Sequence, residues 1–252
     1  MPVGREIRPS PAARNRPLRE RSQLWALFLF AATAQVAPAQ QAPPAPSTQQ
    51  PRFVVVLDAA HGGDDPGGLL LSGQPEKAFN LALNARLKSL LNARGFQVVG
   101  TRDNDVAVEP NRRAEIANRA SAHACLILHA SESGSGIHLF ASQLAPAQPT
   151  RFTAWKAAQS AFVTRSLTLA GALNGALLHA GMTVTLGRTS LPALDSMTCP
   201  AVAVEIAPER DADQKTTAAL DDPEYQARVA GALAAALVQW RAESWNSGAR
   251  QP

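Results

Sequence analysis

The stretch FVVVLDAAHGGDDPGG, residues 53–68, indicates the fold, because it begins with a run typical of a buried strand. A histidine follows this run after three residues. Residues 54–57 are apolar and mostly β-branched, which favours a strand covered on both faces. Asp58 follows, and then His61 precedes two glycines that can adopt positive φ. A histidine placed on a flexible loop after a buried strand points to a functional site.

Further apolar runs alternate with helical periods along the chain. Strands are predicted in FQVVGTR, ACLILHA, GIHLFAS, MTVTLG and PAVAVEIA, and helices in EKAFNLALNARLKSLLNARG, at residues 110–120, around SLTLAGALNGALLHAG and after Asp222. Strands that are apolar on both faces and separated by helices imply a parallel sheet. The predicted fold class is therefore α/β, a mostly parallel twisted sheet of about six strands with helices on both faces.

The first 39 residues have the pattern of a secretory signal peptide. An arginine-rich segment precedes an uncharged run from Leu24, and Ala37-Pro38-Ala39 gives an A-x-A cleavage pattern before Gln40. The run is shorter than the ~20 residues that span a bilayer. We therefore expect a periplasmic or secreted protein of the cell envelope. Contact with a membrane is expected only if this segment stays uncleaved as an anchor.

The rest of the chain is predicted to be one domain with short appendages. Residues 40–52 are predicted to form a Pro/Ala/Gln-rich tether, residues 53–241 the folded domain, and residues 242–252 a flexible tail. The leader holds six of the 24 basic and two of the 20 acidic residues, so the remainder is neutral. Because nucleic-acid binding rests on clustered Lys and Arg, we expect no nucleic acid as a partner.

Three predicted strands deliver an ionisable side chain where they end. The first strand leads to His61, ACLILH ends on His129, and AVAVE ends on Glu205. In a parallel sheet these ends share one edge, where open α/β sheets hold their ligands. Glu76 precedes Phe79 by three residues and lies on the inward face of the first helix. A buried carboxylate there needs a partner.

A zinc ion provides that partner. Two imidazoles and one carboxylate, with a fourth position open, form a usual catalytic Zn²⁺ shell, and this N and O donor set disfavours calcium and magnesium. We therefore predict His61, Glu76 and His129 as the metal ligands. Gly62 and Gly63 are expected to let the backbone pass close to the metal.

Each of the four residues also has a purely structural interpretation. His61 can be a solvated loop residue, and His129 can bond the backbone at a strand end. Glu76 can be a helix-start carboxylate stabilised by the helix dipole, and Glu205 can pair with an arginine. The joint occurrence of all four favours a site.

Taken in order, the motifs resemble the zinc-dependent N-acetylmuramoyl-L-alanine amidases that cleave peptidoglycan in cell-wall remodelling. The matching pieces are LDAAHGGDDPGG, EK, TRDND, RRAEIANRASA, LILHAS, GSGIHLF and PAVAVEIAP, and they cover the chain from residue 53 to about residue 240. The chain departs from the usual Asp-Pro-Gly at 58–60, from Ala-Asn-Ala at 130–132, and from the Gly-Phe and Ser-Asn pattern at 206–213, where it reads IAPERDAD. No metal ligand is lost.

The resemblance implies hydrolysis of the amide bond between N-acetylmuramic acid and L-alanine. By it, His61, Glu76 and His129 are the zinc ligands, and Glu205 is the catalytic glutamate. Glu205 would act as general base towards a metal-activated water and then as general acid towards the departing amine. The implied partner is peptidoglycan, and a regulatory protein partner is left open. The alternatives are a non-catalytic peptidoglycan-binding or regulatory module and an extracellular zinc peptidase on the same fold.

Several residues are assigned structural roles or left open. Arg102, Arg113 and Asn118 are expected to hold loops, and His138 is the likeliest spare ligand among the remaining histidines. The two cysteines, which precede the strands ending at His129 and Glu205, form either a disulfide or two buried thiols. The segment 148–162 is either an inhibitory helix over the cleft or part of the core.

Overall fold

A computed structural model describes the backbone of residues 52–248 and the side chains of residues 52–245. The predicted signal segment, residues 1–39, and the tether up to residue 51 lie outside the described residues. So does the end of the predicted tail, from residue 249.

A six-stranded sheet forms the centre of the domain. Its strands are β1 Val54–Ala59, β2 Gln97–Gly100, β3 Ala124–Ala130, β4 Ile137–Ser142, β5 Val184–Thr189 and β6 Ala201–Ile206. In space their order is β2-β1-β3-β6-β4-β5. The first three strands and β6 are parallel, β4 is antiparallel to β6, and β5 is parallel to β4. The mostly parallel α/β sheet predicted from the sequence is confirmed.

Five α-helices within the described residues 52–248 cover the two faces of the sheet. They are α1 Glu76–Asn92, α2 Pro110–Arg119, α3 Val163–His179, α4 Pro192–Asp195 and α5 Pro223–Gly248. Buried residues of α1, α3 and α5 form the larger apolar cluster on one face, and α2 and α4 form the smaller cluster on the other. A hairpin of β7 Glu209–Arg210 and β8 Thr216–Ala218, together with α4, adds elements that the sequence patterns do not predict.

Helix α1 packs through one stripe of side chains. Phe79, Leu83 and Leu87 are buried, as their spacing predicts, and Leu91 completes the stripe. The prediction of Leu90 as its last member was wrong, since Leu90 is only partly buried against the cluster. The four-residue step from Leu87 to Leu91 keeps the contact on the same side of the helix.

Helix α5 begins and ends under different constraints. The carboxylate of Asp222 accepts a hydrogen bond from the Glu224 backbone N–H at 2.8 Å, in agreement with the predicted cap. The helix then continues to Gly248, beyond the domain boundary predicted at residue 241. In this added part the Trp245 ring meets the Phe53 ring edge-on, with the ring centroids 6.2 Å apart, so the end of the helix packs against the start of the domain.

Most of the segment 148–162 is exposed, including Phe152 and Trp155, and only Gln159 and Ser160 are buried. It contains a 3-10 helix, Trp155–Ala161, in which Gln159 is fully buried. The Gln159 amide donates to the backbone carbonyls of Met197 and Cys199 at 2.9 and 3.1 Å, which ties this segment to the chain before β6. Among the described residues no single helix is long and apolar enough to cross a membrane. This 3-10 helix and α3 together have the length and composition of a membrane span, but the pair is bent by 65°.

The topology of the sheet creates a crevice at its carboxyl edge. From β1 the chain moves to β2 on one side, and β3 lies on the other side of β1. Loops that leave β1 and β3 therefore diverge, and such a switch point is where open α/β sheets bind ligands.

Candidate metal centre and active site

The three predicted ligands meet at this crevice. His61 lies in the loop after β1, Glu76 is the first residue of α1, and His129 lies near the end of β3. One donor atom from each can be chosen so that all three lie within 4.8 Å of one another. The His61 Nε2 atom is 3.2 Å from Glu76 Oε2, and the His129 Nδ1 atom is 2.9 Å from Glu76 Oε1. This arrangement can hold a metal ion.

Glu76 is the buried member of the cluster, with 5% of its surface exposed. Its carboxylate accepts backbone hydrogen bonds from Gly68 at 2.9 Å and Ala130 at 3.1 Å. Burial raises the pKa of Glu76, but the hydrogen bonds with His129, His61 and these two N–H groups outweigh it and hold the pKa far below its usual range. The carboxylate therefore stays ionised and supplies one negative charge to a cation.

The His61 imidazole is oriented by a second carboxylate that the sequence patterns do not single out. Asp65 Oδ2 lies 2.7 Å from His61 Nδ1, which turns Nε2 towards the cluster. Hydrogen bonding to Glu76 raises the pKa of His61, desolvation lowers it, and Asp65 raises it further, for a net increase. A carboxylate behind a ligating histidine fixes the ring and its tautomer.

The glycine that faces the cluster is Gly67. A Cβ there would lie 2.7 Å from both Glu76 Oε2 and His61 Cδ2, and Gly67 has φ +66°. Gly62 and Gly63 do have positive φ, but a Cβ on either would meet the backbone of Val106 or Ala107. The prediction that this pair clears the metal centre was therefore wrong. These two glycines instead let the 61–63 loop pack on the chain after β2.

Two buried arginines hold the loop that carries His61. The Arg113 guanidinium donates to Asp58 Oδ1 at 2.7 Å and to the His61 carbonyl at 2.8 Å. The Arg102 guanidinium donates to the carbonyls of Ala59 and Ala60 at 2.8 and 3.0 Å. The loop-holding role predicted for these arginines agrees with their contacts.

Asn118 holds a different loop. Its amide donates to the Ser196 carbonyl at 3.0 Å and accepts from the Thr198 N–H at 2.7 Å. It therefore fixes the connection between α4 and β6.

Glu205 lies one strand away from the predicted ligand His129. The two residues are partners in the register of β3 and β6, so their side chains share one face of the sheet. The hydrogen-bond partner of Glu205 is not an arginine but His138, whose Nδ1 is 3.0 Å from Glu205 Oε1. His138, the likeliest spare ligand in the sequence analysis, is not a member of the His/Glu/His cluster and contacts Glu205 instead.

A cavity of about 250 Å³ opens beside the cluster. Asp58, Ile127 and His129 of the sheet form its floor, and its walls come from the start of α2 and from the residues around the start of α4. The cavity is lined by mostly apolar groups, which include Ala107, Val108, Leu191, Pro192 and Ala193. A site of this size can hold one small group next to the His/Glu/His cluster, between apolar walls and the ionisable side chains of Asp58, Arg113 and His129.

The two cysteines form a disulfide, the possibility that the sequence left open beside two free thiols. Cys125 and Cys199 are bonded with a Cα–Cα distance of 6.3 Å. They lie at the amino ends of β3 and β6, opposite the edge that carries the site. Neither sulfur takes part in the cluster.

An open α/β sheet whose carboxyl edge carries two histidines and a carboxylate is an architecture of metal-dependent hydrolases. Comparison with known proteins then specifies the family. The chain belongs to the N-acetylmuramoyl-L-alanine amidase family, whose model matches residues 55–239. The family resemblance predicted from the motifs is confirmed.

Individual relatives match over shorter stretches. The chain is 31% identical over 109 residues to the N-acetylmuramoyl-L-alanine amidase AmiC of Neisseria meningitidis, which covers 40% of this chain and 26% of that protein. It is 36% identical over 77 residues to AmiA of Escherichia coli, which covers 31% and 27%. The alignments thus span about a quarter of these relatives' length.

A solved structure extends the match to the whole fold. The catalytic domain of CwlV, an N-acetylmuramoyl-L-alanine amidase from Bacillus (Paenibacillus) polymyxa var. colistinus, superposes with a TM-score of 0.58 at 26% identity. The superposition covers 74% of this chain and 97% of that domain.

Proposed function

We propose that this chain hydrolyses the amide bond between N-acetylmuramic acid and the L-alanine of peptidoglycan, with Zn²⁺ held by His61, Glu76 and His129. The observation that carries the proposal is the approach of these three side chains, with donor atoms within 4.8 Å, beside a fourth ionisable residue, Glu205. Family membership supplies the substrate class.

The donor chemistry of the cluster fits zinc. Two imidazole nitrogens and one ionised carboxylate match the ligand types and the number of protein ligands in catalytic zinc sites. When bound, Zn²⁺ lowers the pKa of water and polarises a carbonyl oxygen. The second carboxylate, Asp65, and the backbone donors to Glu76 hold the ligands in place.

Glu205 supplies the proton transfers. Its Oε1 contacts His138, its Oε2 accepts no hydrogen bond from the described residues, and 34% of the side chain is exposed. Glu205 Oε2 takes a proton from the attacking water and passes it to the amide nitrogen as the C–N bond breaks. The products are the lactyl carboxylate of the muramic acid and a stem peptide with a free alanine amine. Acid–base catalysis of this kind contributes roughly 10²- to 10⁴-fold.

The cavity beside the cluster selects the group on the substrate. Its volume of about 250 Å³ and its apolar wall around Val108 and Leu191 suit a methyl-bearing group of amino-acid size. Both sides of the scissile bond, the lactyl group and the alanine, carry such a methyl group.

Product analysis tests the activity. The purified chain, loaded with zinc, is incubated with muropeptides beside a Glu205→Gln variant, and the products are separated by mass spectrometry. We expect peptides that begin with a free alanine, together with intact muramic acid, from the wild type alone. Cleavage within the peptide would identify a peptidase instead, and zinc binding without cleavage would identify a non-catalytic binding module.

We also propose an envelope location, with cleavage of the leader after Ala39 and a tether, residues 40–52, ahead of the domain. The Arg-rich start, the apolar run and the A-x-A pattern support it. The disulfide Cys125–Cys199 agrees with an oxidising compartment. Amino-terminal sequencing of the protein from the cell envelope should begin at Gln40, and a protein that starts at residue 1 in the cytoplasm would contradict the proposal.

A further inference from the structure

His138 is part of a row of three ionisable side chains that crosses three strands. In register, His129 of β3 pairs with Glu205 of β6, and Glu205 pairs with His138 of β4. Residues paired across a sheet point to the same face, and neighbouring strands lie ~4.8 Å apart. Glu205 therefore lies between a predicted metal ligand and a histidine that contacts no other ionisable group among the described residues.

The contact between His138 and Glu205 has a defined polarity. The general base proposed above is an ionised carboxylate, which only accepts hydrogen bonds, so in that role Glu205 Oε1 requires the proton on His138 Nδ1, 3.0 Å away. With 18% of its side chain exposed, His138 is more shielded from solvent than Glu205. A hydrogen bond from a shielded donor fixes the rotation of the carboxylate and leaves Oε2 for other contacts.

The loop before β4 is shaped around this imidazole. Gly134 has φ +84°, and a Cβ there would lie 2.5 Å from His138 Cε1. Phe140 lies two residues further along β4, and its ring meets the imidazole edge-on with the ring centroids 6.3 Å apart. The ring is therefore confined by the backbone on one side and by an aromatic neighbour on another.

Arg210, in the segment that follows Glu205, holds this loop in place through hydrogen bonds. Its guanidinium donates to the carbonyls of Gly134 and Glu132 at 3.2 and 3.3 Å, and its backbone N–H donates to the Ser135 hydroxyl at 3.0 Å. Glu132 and Arg210 lie in two of the stretches where the chain departs from the usual family pattern, 130–132 and 206–213. The two segments that differ from the family pattern are therefore hydrogen-bonded to each other, next to the loop that packs against His138.

We propose that His138 is a positioning residue, whose Nδ1–H holds Glu205 Oε1 so that Oε2 faces the water and the scissile amide. The proposal rests on the hydrolase activity proposed above and adds a residue to it. His138 acts only through Glu205 and touches neither metal nor substrate.

Two substitutions of His138 distinguish the role of its N–H donor from the role of its side-chain volume. His138→Asn keeps a side-chain N–H near the position of Nδ1, whereas His138→Leu keeps the apolar volume and removes the donor. His179→Asn, at the exposed end of α3, is the matched control for loss of a histidine. For all variants kcat and KM on muropeptides, zinc content and melting temperature are measured.

We expect His138→Leu to lower kcat by about 10- to 100-fold, because a misoriented Glu205 loses part of the roughly 10²- to 10⁴-fold that acid–base catalysis contributes. KM, zinc content and melting temperature should stay at wild-type values, and His138→Asn should recover most of the lost kcat. An unchanged kcat in His138→Leu would overturn the proposal. Equal losses in both variants, or a fall in zinc content or melting temperature, would also overturn it, because His138 would then be structural.

A second measurement needs no activity. Long-range ¹H–¹⁵N correlation spectra of the metal-free protein report which nitrogen of His138 is protonated. We expect a proton on Nδ1 in the wild type and a shifted Nδ1 signal in Glu205→Gln, and a proton on Nε2 alone would contradict the proposal. If the wild type binds zinc but cleaves no muropeptide, the proposed function fails, whereas the spectra still decide whether His138 donates to Glu205.

Discussion

The two ends of the neighbouring strands β3 and β6 differ in chemistry. At the amino ends, the disulfide between Cys125 and Cys199 is buried in the smaller apolar cluster, with both residues at most 1% exposed. At the carboxyl ends, His129 and Glu205 are ionisable and partly exposed. The same pair of strands therefore carries a covalent link at one end and the candidate active site at the other.

This difference shows that the residues important for stability and those important for chemistry lie at opposite ends of the same two strands. A slip of one residue would turn every side chain of β6 to the opposite face, and Glu205 would leave its row. The disulfide between Cys125 and Cys199 joins the chain at the amino ends of the two strands, whereas the backbone pairing of β3 and β6 holds His129 opposite Glu205. Changes at the carboxyl ends should reduce activity, whereas changes at the amino ends should reduce stability.

Removal of a metal ligand should have the largest effect. His61→Ala and His129→Ala each leave two of the three donors, so we expect loss of bound zinc and turnover at background level. Metal analysis and muropeptide cleavage check this, with His179→Ala as the control. A chelator should silence the wild type in the same way, and added zinc should restore it. Full activity in either ligand variant would contradict the assignment.

Replacement of Glu205 should separate metal binding from catalysis. The amide of Glu205→Gln cannot take up the proton, so turnover should fall about 10²- to 10⁴-fold while zinc content stays at the wild-type level. Parallel metal analysis and kinetics measure both quantities. If this variant loses zinc, Glu205 is a ligand and the separation of roles proposed here is wrong.

Removal of the disulfide should affect only the other end of the strands. A Cys125→Ala/Cys199→Ala double variant should lose about 2–4 kcal/mol of unfolding free energy, because the unfolded chain is no longer cross-linked. Denaturant unfolding measures this loss, and zinc content and turnover at 25 °C should match the wild type. A large loss of turnover in the folded variant would show that the two ends are coupled.

Among these four changes, Asp65→Ala should have the smallest effect. Without its contact to Nδ1, the His61 ring is less well oriented, and zinc affinity should fall about 10- to 100-fold. Asp64→Ala, a change at the neighbouring exposed aspartate, is the control, and competition with a zinc chelator measures the affinity. Equal affinities in the two variants would remove Asp65 from the site.

The fold and the four central residues follow from local patterns. β-branched runs and helical stripes predict the sheet and its layers, and His61, His129 and Glu205 each follow or end a predicted strand. The length of α5 was missed because the contact between Trp245 and Phe53 is tertiary.

The role of His138 depends on strand order, which the chain does not reveal locally. Only the antiparallel placement of β4 beside β6 brings His138 opposite Glu205. The alternation in GIHLF gave its face but not its neighbour. The disulfide was undecided for the same reason, since the Cα separation depends on which strands are adjacent.

Anomalous diffraction at the zinc edge, from crystals of the zinc-loaded Glu205→Gln protein, tests the central assignment most directly. We predict one strong peak within about 2.0–2.3 Å of one donor atom each from His61, Glu76 and His129. A peak coordinated by other residues, or zinc-loaded crystals without a peak at this cluster, would contradict it.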